Sequence, residues 1–510
     1  MIQQVKKKIG LWTLVSLGVG SIIGSGIFAL PAAMGAVAGP GLILAILLAG
    51  IIAIFLALPY AELGAAFPLE GGPYAFPRLS MGNLTGFLMG WGFFLYLFIG
   101  TAGIINIFVL YSGFYIPGLV IGSTLTPLGI TIAVLFLWIF TIINIFGVQW
   151  GGLYSVITTI GKLIPMVIFG FVGFMFFQGG NFVPFMPFGF TGVTLAVTLF
   201  FWSYTGFEAI VVPTGEVKNP SKTIPLAMIL TLLITIVVYM LIAIAFVGMI
   251  NWDGVHLSFK GWKEMTLLSS PLSDVSKALG LMWLAVVVSI GAIIGTGGSG
   301  GGWVLIQGRM PYAMAKDRLF WNSMSKVHPK YGTPVNSLIF SSFLTTIVLI
   351  AIPNFPSVAL VATVTVLVPY AAAILSVPIL RKVQPKAERP FKLPFVMTFS
   401  IIGFILATYL FYWGTWPWTL VGALLVLTGY PAFLFVKEKE ADWKKSLWIP
   451  VYIMGIVLVS FLGDPKFMFN NFLPWSPLGY LTMPYDLVIL AIFAIIIFTW
   501  AYKQNIKVRE

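Results

Sequence analysis

Four glycines fall within the eleven residues GVGSIIGSGIF, Gly18 to Phe28, in the first long apolar segment of the chain. Glycine weakens a helix interior by ~1 kcal/mol relative to alanine, and lipid supplies no water to a backbone group that leaves the helix. A break here would leave N–H groups unpaired where the helix resumes, near Gly26 and Ile27. Such groups lie at the positive end of a helix dipole and suit a carboxylate. The alternative is that the glycines allow close helix packing.

A second polar interruption lies in the sixth apolar segment, in FFWSYTGFE from Phe200 to Glu208. If the helix ends near Trp202 to Thr205, its last carbonyl groups have no intrahelical partners and suit an ammonium group. A carboxylate site and an ammonium site that face each other fit the two charges of an amino-acid backbone. The two stretches together predict a zwitterion-binding site between two broken helices.

Lys162 and Glu208 are ionisable side chains that fall well inside predicted membrane segments. Lys162, in TTIGKLIPMVIF, lies about eleven residues from the cytoplasmic end of its segment, which at 1.5 Å per residue is ~16 Å deep. An ionised group at mid-bilayer costs ~2.5–3.5 kcal/mol on insertion scales, so each is a functional candidate. Lys162 either ties helices together as a permanent charge, carries a coupling proton, or extends to the lipid headgroups. Glu208 either stabilises a helix N-terminus or takes part in gating or protonation.

The elements that must position these groups are membrane-spanning helices. Of the 510 residues, 59% are hydrophobic and 8% are charged. Repeated apolar runs of about 20 residues predict an all-α polytopic membrane protein. We predict fourteen spans, over residues 11–36, 40–66, 84–116, 126–147, 151–178, 191–216, 224–250, 279–307, 335–352, 356–380, 396–413, 416–436, 447–463 and 485–502.

The distribution of basic residues predicts the orientation. With this span count, 23 of the 28 Lys and Arg residues fall on the side of the N-terminus and four on the opposite side, while Lys162 lies within a span. The positive-inside rule then makes both termini cytoplasmic, in a multi-pass protein of the plasma membrane. The net charge of +13 is therefore a topology signal with some attraction to membrane lipid, and we expect no nucleic-acid partner. We interpret the N-terminal MIQQVKKKIG as a cytoplasmic end rather than a cleaved signal peptide.

Several kinds of chemistry are disfavoured. The chain has no cysteine, which excludes disulfides and thiolate sites, and its two histidines, His256 and His328, fall in predicted loops on opposite sides. We find no nucleotide-binding GxxxxGK[ST] motif, and no paired carboxylates or nucleophile–base spacing at membrane depth. The sequence therefore predicts no enzyme, no cofactor and no metal site.

The two predicted breaks are five spans apart, in spans 1 and 6. Because five is odd, the two spans run in opposite directions, which is the signature of two inverted five-helix repeats with a binding site at the midplane. This predicts a cytoplasmic N-terminus over 1–10, a first repeat over 11–180 and a second repeat over 191–380. Accessory spans 11 to 14 follow over 396–502, and a cytoplasmic C-terminus over 503–510.

Five stretches resemble motifs of the amino acid–polyamine–organocation (APC) superfamily, in matching order along the first ten spans. They are GSGIF at Gly24 to Phe28; GGPYAF at Gly71 to Phe76; FWSYTGFE at Phe201 to Glu208 with GEVKNPSKTIPLA at Gly215 to Ala227; GRMPYAMAKDRLF at Gly308 to Phe320; and YGTPVNS at Tyr331 to Ser337. The resemblance implies a leucine-transporter-type fold and secondary transport of amino acids or close relatives by an amino acid permease or antiporter.

The resemblance also implies the ligand contacts. The ligand carboxylate would meet the backbone N–H groups of Ser25, Gly26 and Ile27. The α-amino group would meet the backbone carbonyls of Ile22, Trp202 and Thr205, the last two of which lie at the span-6 break.

Side-chain recognition is implied by a closer likeness to arginine/agmatine antiporters of the superfamily. WSYTGFE resembles those proteins, as does GGW ending at Trp303, where they place a tryptophan facing the substrate side chain. At the position of Thr101 those antiporters have an asparagine that contacts the guanidinium of the substrate. The threonine in this chain therefore weakens the assignment of arginine as the substrate. Tyr96 is a further candidate lining residue, and Phe93 and Tyr204 could line the pocket as well.

In some proton-coupled relatives a lysine in span 5 stands where sodium binds in sodium-driven members, and Lys162 matches it. We therefore expect sodium-independent transport, by proton symport or exchange. The alternatives are a polyamine or amine exchanger on the same fold and, with less support, an ion-conducting or chloride-coupled carrier. The oligomeric state is left open.

Two interpretations stay open for each of three further features. The stretch TGGSGGGW, Thr296 to Trp303, has five glycines in eight residues. This predicts either close packing of span 8 against spans 1 and 5 or a local unwinding that opens space for the ligand side chain. Glu62 could extend to the headgroups or pair with a basic residue in a loop. Glu216 could form part of an inner-gate salt bridge.

Overall fold

The chain is described by a computed structural model over residues 9–67, 72–147, 152–211, 217–253, 261–436, 441–465 and 473–506. Nineteen α-helices lie in these ranges. They are α1 Leu11–Ile22, α2 Gly26–Ala38, α3 Leu42–Ala66, α4 Ala75–Met81, α5 Asn83–Ser112, α6 Pro127–Ile145, α7 Gly152–Met175, α8 Gly189–Phe201, α9 Pro220–Met249, α10 Pro271–Ala278, α11 Met282–Lys316, α12 Val335–Ala351, α13 Phe355–Val383, α14 Val396–Tyr412, α15 Trp418–Leu427, α16 Gly429–Phe433, α17 Trp443–Ser446, α18 Trp448–Leu462 and α19 Tyr485–Ile506.

The protein is a mostly helical, multi-pass membrane protein, as predicted. Ten of the described helical segments are long and apolar enough to cross a bilayer. A short antiparallel hairpin, β1 Val120–Ile121 and β2 Thr124–Leu125, joins α5 to α6. Some predicted residues lie outside the described ranges: Glu216, His256, the Gly71 that opens GGPYAF, and the terminal basic residues Lys6, Lys7, Lys8, Lys507 and Arg509.

The first membrane segment is interrupted where the glycines predict. Helix α1 ends at Ile22, Ile23 has an extended backbone, and α2 begins at Gly26. Helix α2 then ends at Ala38 and is followed by Gly39, whose positive φ of 60° favours glycine. The apolar face of α2 is almost completely buried, which places the interruption inside the protein.

The sixth membrane segment is interrupted as well. Helix α8 gives way to a single 3₁₀ turn over Trp202–Tyr204, and Thr205 is extended. Gly206 has φ of 107°, and a second 3₁₀ turn follows over Phe207–Ile210. A side chain at Gly206 would be strained by this φ and would press on the Ser21 carbonyl, so both conformation and contact require glycine here.

The stretch TGGSGGGW does not unwind. It lies inside the continuous helix α11, so the unwinding alternative is wrong. A β-carbon on Gly297 or Gly300 would sit 3.4 Å from the rings of Phe108 and Phe136, respectively. These two glycines therefore face rings of α5 and α6, the third and fourth predicted spans, rather than spans 1 and 5.

Helix α11 also extends nine residues beyond the predicted end of span 8, to Lys316. The first nine residues of GRMPYAMAKDRLF, Gly308 to Lys316, are therefore helical. Its Met and Ala residues favour helix, and the turn comes only after Asp317. There Arg78 pairs with the Asp317 carboxylate at 2.6 Å and Tyr74 donates to it at 3.0 Å.

Glu62 pairs with basic residues rather than extending to headgroups, with Arg381 in the last turn of α13 and Arg389 in the loop after it. Its carboxylate is buried and receives two hydrogen bonds from Arg381, at 2.8 and 2.6 Å, and one from the Leu393 backbone at 2.7 Å. Arg389 lies 3.8 Å away. Burial lowers the pKa of Arg389, and the nearby Glu62 opposes that shift. This cluster fastens the end of α13 and the loop after it to α3.

Candidate functional site

The two interruptions pack directly against each other. A β-carbon on Gly26 would collide with the Ser203 hydroxyl and lie 3.1 Å from the Trp202 ring. On the other side, Gly206 rests on the backbone of Ser21 and Ile22. The glycines at both breaks therefore hold the two non-helical segments in backbone contact. The arrangement brings the predicted amide end and the predicted carbonyl end into one place.

Tyr239 of α9 joins the two breaks. Its hydroxyl lies 3.1 Å from the Ile22 carbonyl oxygen and 2.9 Å from the Ser203 carbonyl oxygen. Both carbonyls lie where a helix stops, so they lack the intrahelical donors they would have in a continuous helix. One of the carbonyls predicted to face an ammonium group, that of Ile22, is thus already contacted by a phenol.

Lys162 of α7 supports the end of α1. Its ammonium donates to the Gly20 carbonyl at 2.8 Å, and the residue is 4% exposed. The stem of Lys162 packs on Gly295 of α11, where a β-carbon would sit 2.7 Å from that of the lysine. The ammonium does not extend to the lipid surface, so that alternative is wrong. Lys162 links the first, fifth and eighth predicted spans.

Three aromatic rings lie together beside the breaks. Tyr96, Trp202 and Trp303 have ring centroids 5.5 to 5.9 Å apart. Gly100 of α5 lies against both tryptophans, where a β-carbon would come within 2.6 Å of Trp202 and 2.8 Å of Trp303. This cluster offers an apolar surface with ring edges and faces, and its Trp202 also contacts Gly26.

Two threonines of the predicted site differ in what they face. Tyr96 donates to the Thr205 hydroxyl at 2.8 Å, and that hydroxyl donates to the Trp202 carbonyl at 2.6 Å. Thr205 therefore belongs to the break. Thr101 is fully buried, and its hydroxyl donates to the Leu97 carbonyl of its own helix at 2.9 Å. The structure shows no hydrogen bond from Thr101 to either break.

Glu208 is a buried carboxylate just beyond Gly206. Its Oε2 accepts the Gly206 N–H at 3.2 Å and the Tyr370 hydroxyl at 3.1 Å. Tyr60 packs edge-on against Tyr370, and its own buried hydroxyl has no partner among the described residues. No Lys or Arg in the described ranges forms an ion pair with Glu208. A buried carboxylate without a compensating cation is costly.

A small cap of non-spanning elements covers α2. The 3₁₀ turn Gly261–Leu267 and helix α10 pack on α2, and the Trp262 ring lies 3.4 Å from a β-carbon built on Gly35. Asp274 of α10 accepts the Ser270 N–H at 2.8 Å. Burial raises the pKa of Asp274 to about 6, against the lowering effect of that hydrogen bond and of Lys277.

The structure brings most predicted site residues together. Ile22, Ser25, Gly26 and Ile27 lie at or beside the first break and are buried. The sequence reasoning missed Tyr239 and Tyr370, which reach the breaks from α9 and α13. Each is a single tyrosine in a long apolar helix. The sequence pattern of such a helix does not reveal which group the tyrosine hydroxyl contacts.

Paired interruptions inside a bundle of apolar helices are typical of proteins that pass polar solutes across membranes. A profile of the family described as "Amino acid permease" matches residues 9–459. The chain therefore belongs to the amino acid permease family. The predicted APC membership is confirmed, and the family's transport function points away from an enzyme.

Similar proteins extend over nearly the whole chain. The glutamate/serine transporter AimA of Bacillus subtilis (strain 168) is 28% identical over 99% of this chain and 95% of its own length. The aspartate-proton symporter of the same organism is 30% identical over 97% of this chain and 96% of its own length. Its branched-chain amino acid permease BcaP is 30% identical over 77% of this chain and 84% of its own length.

Proposed function

We propose that this protein is a secondary transporter that moves an amino acid across the plasma membrane by alternating access. The ligand carboxylate binds the backbone N–H groups of Ser25, Gly26 and Ile27. The α-amino group binds carbonyls at the breaks, those of Ile22, Trp202 and Thr205. The observation that carries the proposal is the direct packing of the two interruptions, Gly26 on Ser203 and Gly206 on Ser21.

The side chain of the ligand then lies against the aromatic cluster of Tyr96, Trp202 and Trp303. The resemblance names Thr101, but its hydroxyl donates a hydrogen bond to a carbonyl of its own helix. The proposed role for Thr101 is therefore steric, with its methyl group on the pocket wall. The relatives with named substrates are transporters of glutamate and serine, of aspartate and of branched-chain amino acids.

The proposed architecture has two inverted repeats over 11–180 and 191–380 and four accessory spans over 396–502. That makes fourteen spans, with the termini 1–10 and 503–510 both cytoplasmic. The helix bounds agree with this count to within several residues at most ends, which supports it. Cysteine labelling from each side of the membrane, at single sites introduced into the cysteine-free chain, tests the orientation.

The proposed coupling is independent of sodium. The Lys162 ammonium occupies the neighbourhood of the first break and satisfies the Gly20 carbonyl, so a metal ion is not needed there. A proton carried by Glu208 or Lys162, or exchange for an internal amino acid, supplies the driving force. The similarity to an aspartate-proton symporter supports the first of these.

The proposal is tested by reconstituting the purified protein into liposomes. Labelled amino acids are screened with and without a proton gradient, external sodium and internal substrate. We expect saturable uptake that competing amino acids inhibit and that putrescine, which lacks a carboxylate, does not. Inhibition by putrescine alone would favour the polyamine exchanger, and unsaturable flux at channel rates would favour an ion-conducting protein.

Two variants test the named residues. Gly26→Val should abolish uptake because it fills the contact with Ser203. Accumulation that requires sodium and persists in Lys162→Ala would refute the role assigned to the lysine.

A further inference from the structure

The break in the sixth segment carries a buried hydroxyl group, that of Ser203. The residue lies in the 3₁₀ turn Trp202–Tyr204 and is 3% exposed. Its hydroxyl forms no hydrogen bond with any part of the chain that the structure describes. Buried polar groups in native proteins are nearly always hydrogen-bonded, and an unpaired one is destabilising. This hydroxyl is therefore suited to a partner from outside the protein.

The backbone of Gly26 shows where the hydroxyl lies. A β-carbon built on Gly26 would collide with Ser203 Oγ and would lie 3.1 Å from the serine β-carbon. Each Cα–Cβ bond of an α-helix tilts toward the N-terminus of that helix. The Ser203 hydroxyl therefore lies beside the first turn of α2, in space that is open because residue 26 is glycine.

The first turn of α2 supplies backbone donors at the same place. Because α2 begins at Gly26, the N–H groups of Gly26 and Ile27 have no acceptor within the helix. Both residues are buried, so bulk water does not reach them. The N-terminus of a helix also carries a partial positive charge that favours an anion. Two backbone donors, the helix dipole and an unpaired hydroxyl thus meet beside Gly26.

The carbonyl groups of the two breaks have other donors. The Tyr239 hydroxyl lies 3.1 Å from the Ile22 carbonyl oxygen and 2.9 Å from that of Ser203. The Thr205 hydroxyl donates to the Trp202 carbonyl at 2.6 Å. The Ser203 hydroxyl bonds to none of these carbonyls. Its proton is thus available to an acceptor beside α2, where the dipole favours a negative charge.

We propose that the Ser203 hydroxyl donates a hydrogen bond to the carboxylate of the transported amino acid. This role rests on the proposed function, which puts that carboxylate at the N–H groups of α2. An ionised carboxylate only accepts hydrogen bonds and has room for about four, so the hydroxyl adds a donor without displacing an amide. The carboxylate then contacts both broken segments, the first through its amides and the sixth through Ser203.

This extra donor makes the site prefer a free carboxylate over a neutral derivative. Hydrogen bonds to an ionised acceptor are roughly twice as strong as those to a neutral one. The carboxamide of the same amino acid has nearly the same shape but no negative charge. Loss of the hydroxyl should therefore weaken binding of the acid more than binding of the carboxamide.

The test compares these two ligands as competitors of uptake in proteoliposomes, using the amino acid that the wild-type protein takes up best. Ser203→Ala should weaken affinity about thirtyfold for the amino acid and about threefold for its carboxamide, so the preference narrows about tenfold. The maximal uptake rate should change less than the affinity. The Tm of the ligand-free protein should be equal or higher, because an unpaired buried hydroxyl has been removed.

Ser446→Ala is the matched control. Ser446 of α17 is 1% exposed, and its hydroxyl already donates to the Trp443 carbonyl at 3.1 Å. This variant should keep the wild-type affinities for both ligands. If Ser203→Ala is too unstable to purify, Ser203→Cys replaces it, because a thiol has similar size and is only a weak donor. Its preference should narrow in the same direction.

Equal loss of affinity for the acid and the carboxamide would mean that Ser203 only supports the fold, and would overturn the proposal. Unchanged affinity for both ligands would overturn it as well, because the hydroxyl would then not contact the ligand. These two results leave amino-acid transport itself intact. If the wild-type protein takes up no amino acid, the proposed function fails, and the role of Ser203 fails with it.

Discussion

Two glycine-rich stretches of this chain have opposite structures. Gly18 to Phe28 breaks into α1 and α2, whereas Thr296 to Trp303, with its higher glycine density, remains a continuous part of α11. Glycine content alone therefore does not decide where a membrane helix unwinds. The difference lies in what surrounds each stretch.

Donors surround the first stretch. The Lys162 ammonium meets the Gly20 carbonyl and the Tyr239 hydroxyl meets the Ile22 carbonyl, so backbone groups released by the break find partners. Around the second stretch, Gly297 and Gly300 face the apolar rings of Phe108 and Phe136. The Asn144 amide does donate to the Gly301 carbonyl there, at 3.1 Å. What distinguishes the first stretch is therefore an ammonium and a phenol that meet two of its carbonyls, since lipid-depth backbone stays helical unless its groups are satisfied.

The largest effect is expected from a matched pair of valine substitutions. Gly26→Val collides with Ser203 and Trp202, so uptake should fall at least about a hundredfold. Gly302→Val in α11 meets no atom within 4 Å of its β-carbon, so uptake should stay within about twofold of wild type. Liposome uptake and Tm are measured for both. Equal effects would mean that the two stretches do not differ in function.

Removal of the donor at the first break should have the next largest effect. Lys162→Met keeps the apolar stem against Gly295 but leaves the Gly20 carbonyl without its ammonium, a loss of about 1–3 kcal/mol. Uptake should fall about tenfold or more, with a lower Tm. Lys316→Met, at the exposed end of α11, serves as the control. Normal transport by Lys162→Met would show that the break does not depend on this donor.

Tyr239→Phe removes only a hydroxyl from the two breaks. Loss of its hydrogen bonds should weaken substrate affinity about tenfold, corresponding to ~1.4 kcal/mol. Tyr452→Phe removes an equally buried phenol that contacts Thr408 in the accessory helices. It should lower Tm by a similar amount and leave affinity unchanged. Affinity is measured by competition in proteoliposomes.

The cap over α2 should respond to pH, and the glycine stretch of α11 should not. Because burial raises the pKa of Asp274 to about 6, the folded cap binds a proton more tightly than the unfolded segment does. Its stability is therefore greatest below about pH 4, the ordinary pKa range of aspartate, and is lost as pH rises through 6. Hydrogen exchange of residues 261–281 reports this.

At pH 7 the wild-type cap should exchange faster than Asp274→Asn by up to on the order of tenfold. The two proteins should converge near pH 4. A ratio that does not change with pH would contradict the assignment. Comparison of the two proteins at each pH cancels the intrinsic pH dependence of exchange.

The smallest effect is expected in α11 itself. Gly297→Ala places a methyl group 3.4 Å from the Phe108 ring, an ordinary contact, and alanine favours helix by ~1 kcal/mol. Uptake should be unchanged and Tm equal or slightly higher. A strong loss of uptake would mean that this stretch must unwind during transport.

The sequence alone predicted the membrane class, the position of both breaks and the burial of Lys162. It could do so because spans, breaks and intramembrane charges are local patterns. It could not distinguish packing from unwinding in TGGSGGGW, since that outcome depends on which side chains α5 and α6 present to it. Tyr239 was missed for the same reason: its hydroxyl matters only because α9 passes both breaks.

Tyr239 also has a consequence for how an empty binding site differs from a filled one. Its hydroxyl carries one hydrogen, yet two carbonyl oxygens, those of Ile22 and Ser203, lie within its reach. At any instant, therefore, one of these two carbonyl oxygens does not receive the hydrogen of the Tyr239 hydroxyl. An ammonium group brings three hydrogens and removes the shortage on both segments together. Under the proposed function, the ligand supplies the one hydrogen-bond donor that the protein alone lacks at the two breaks.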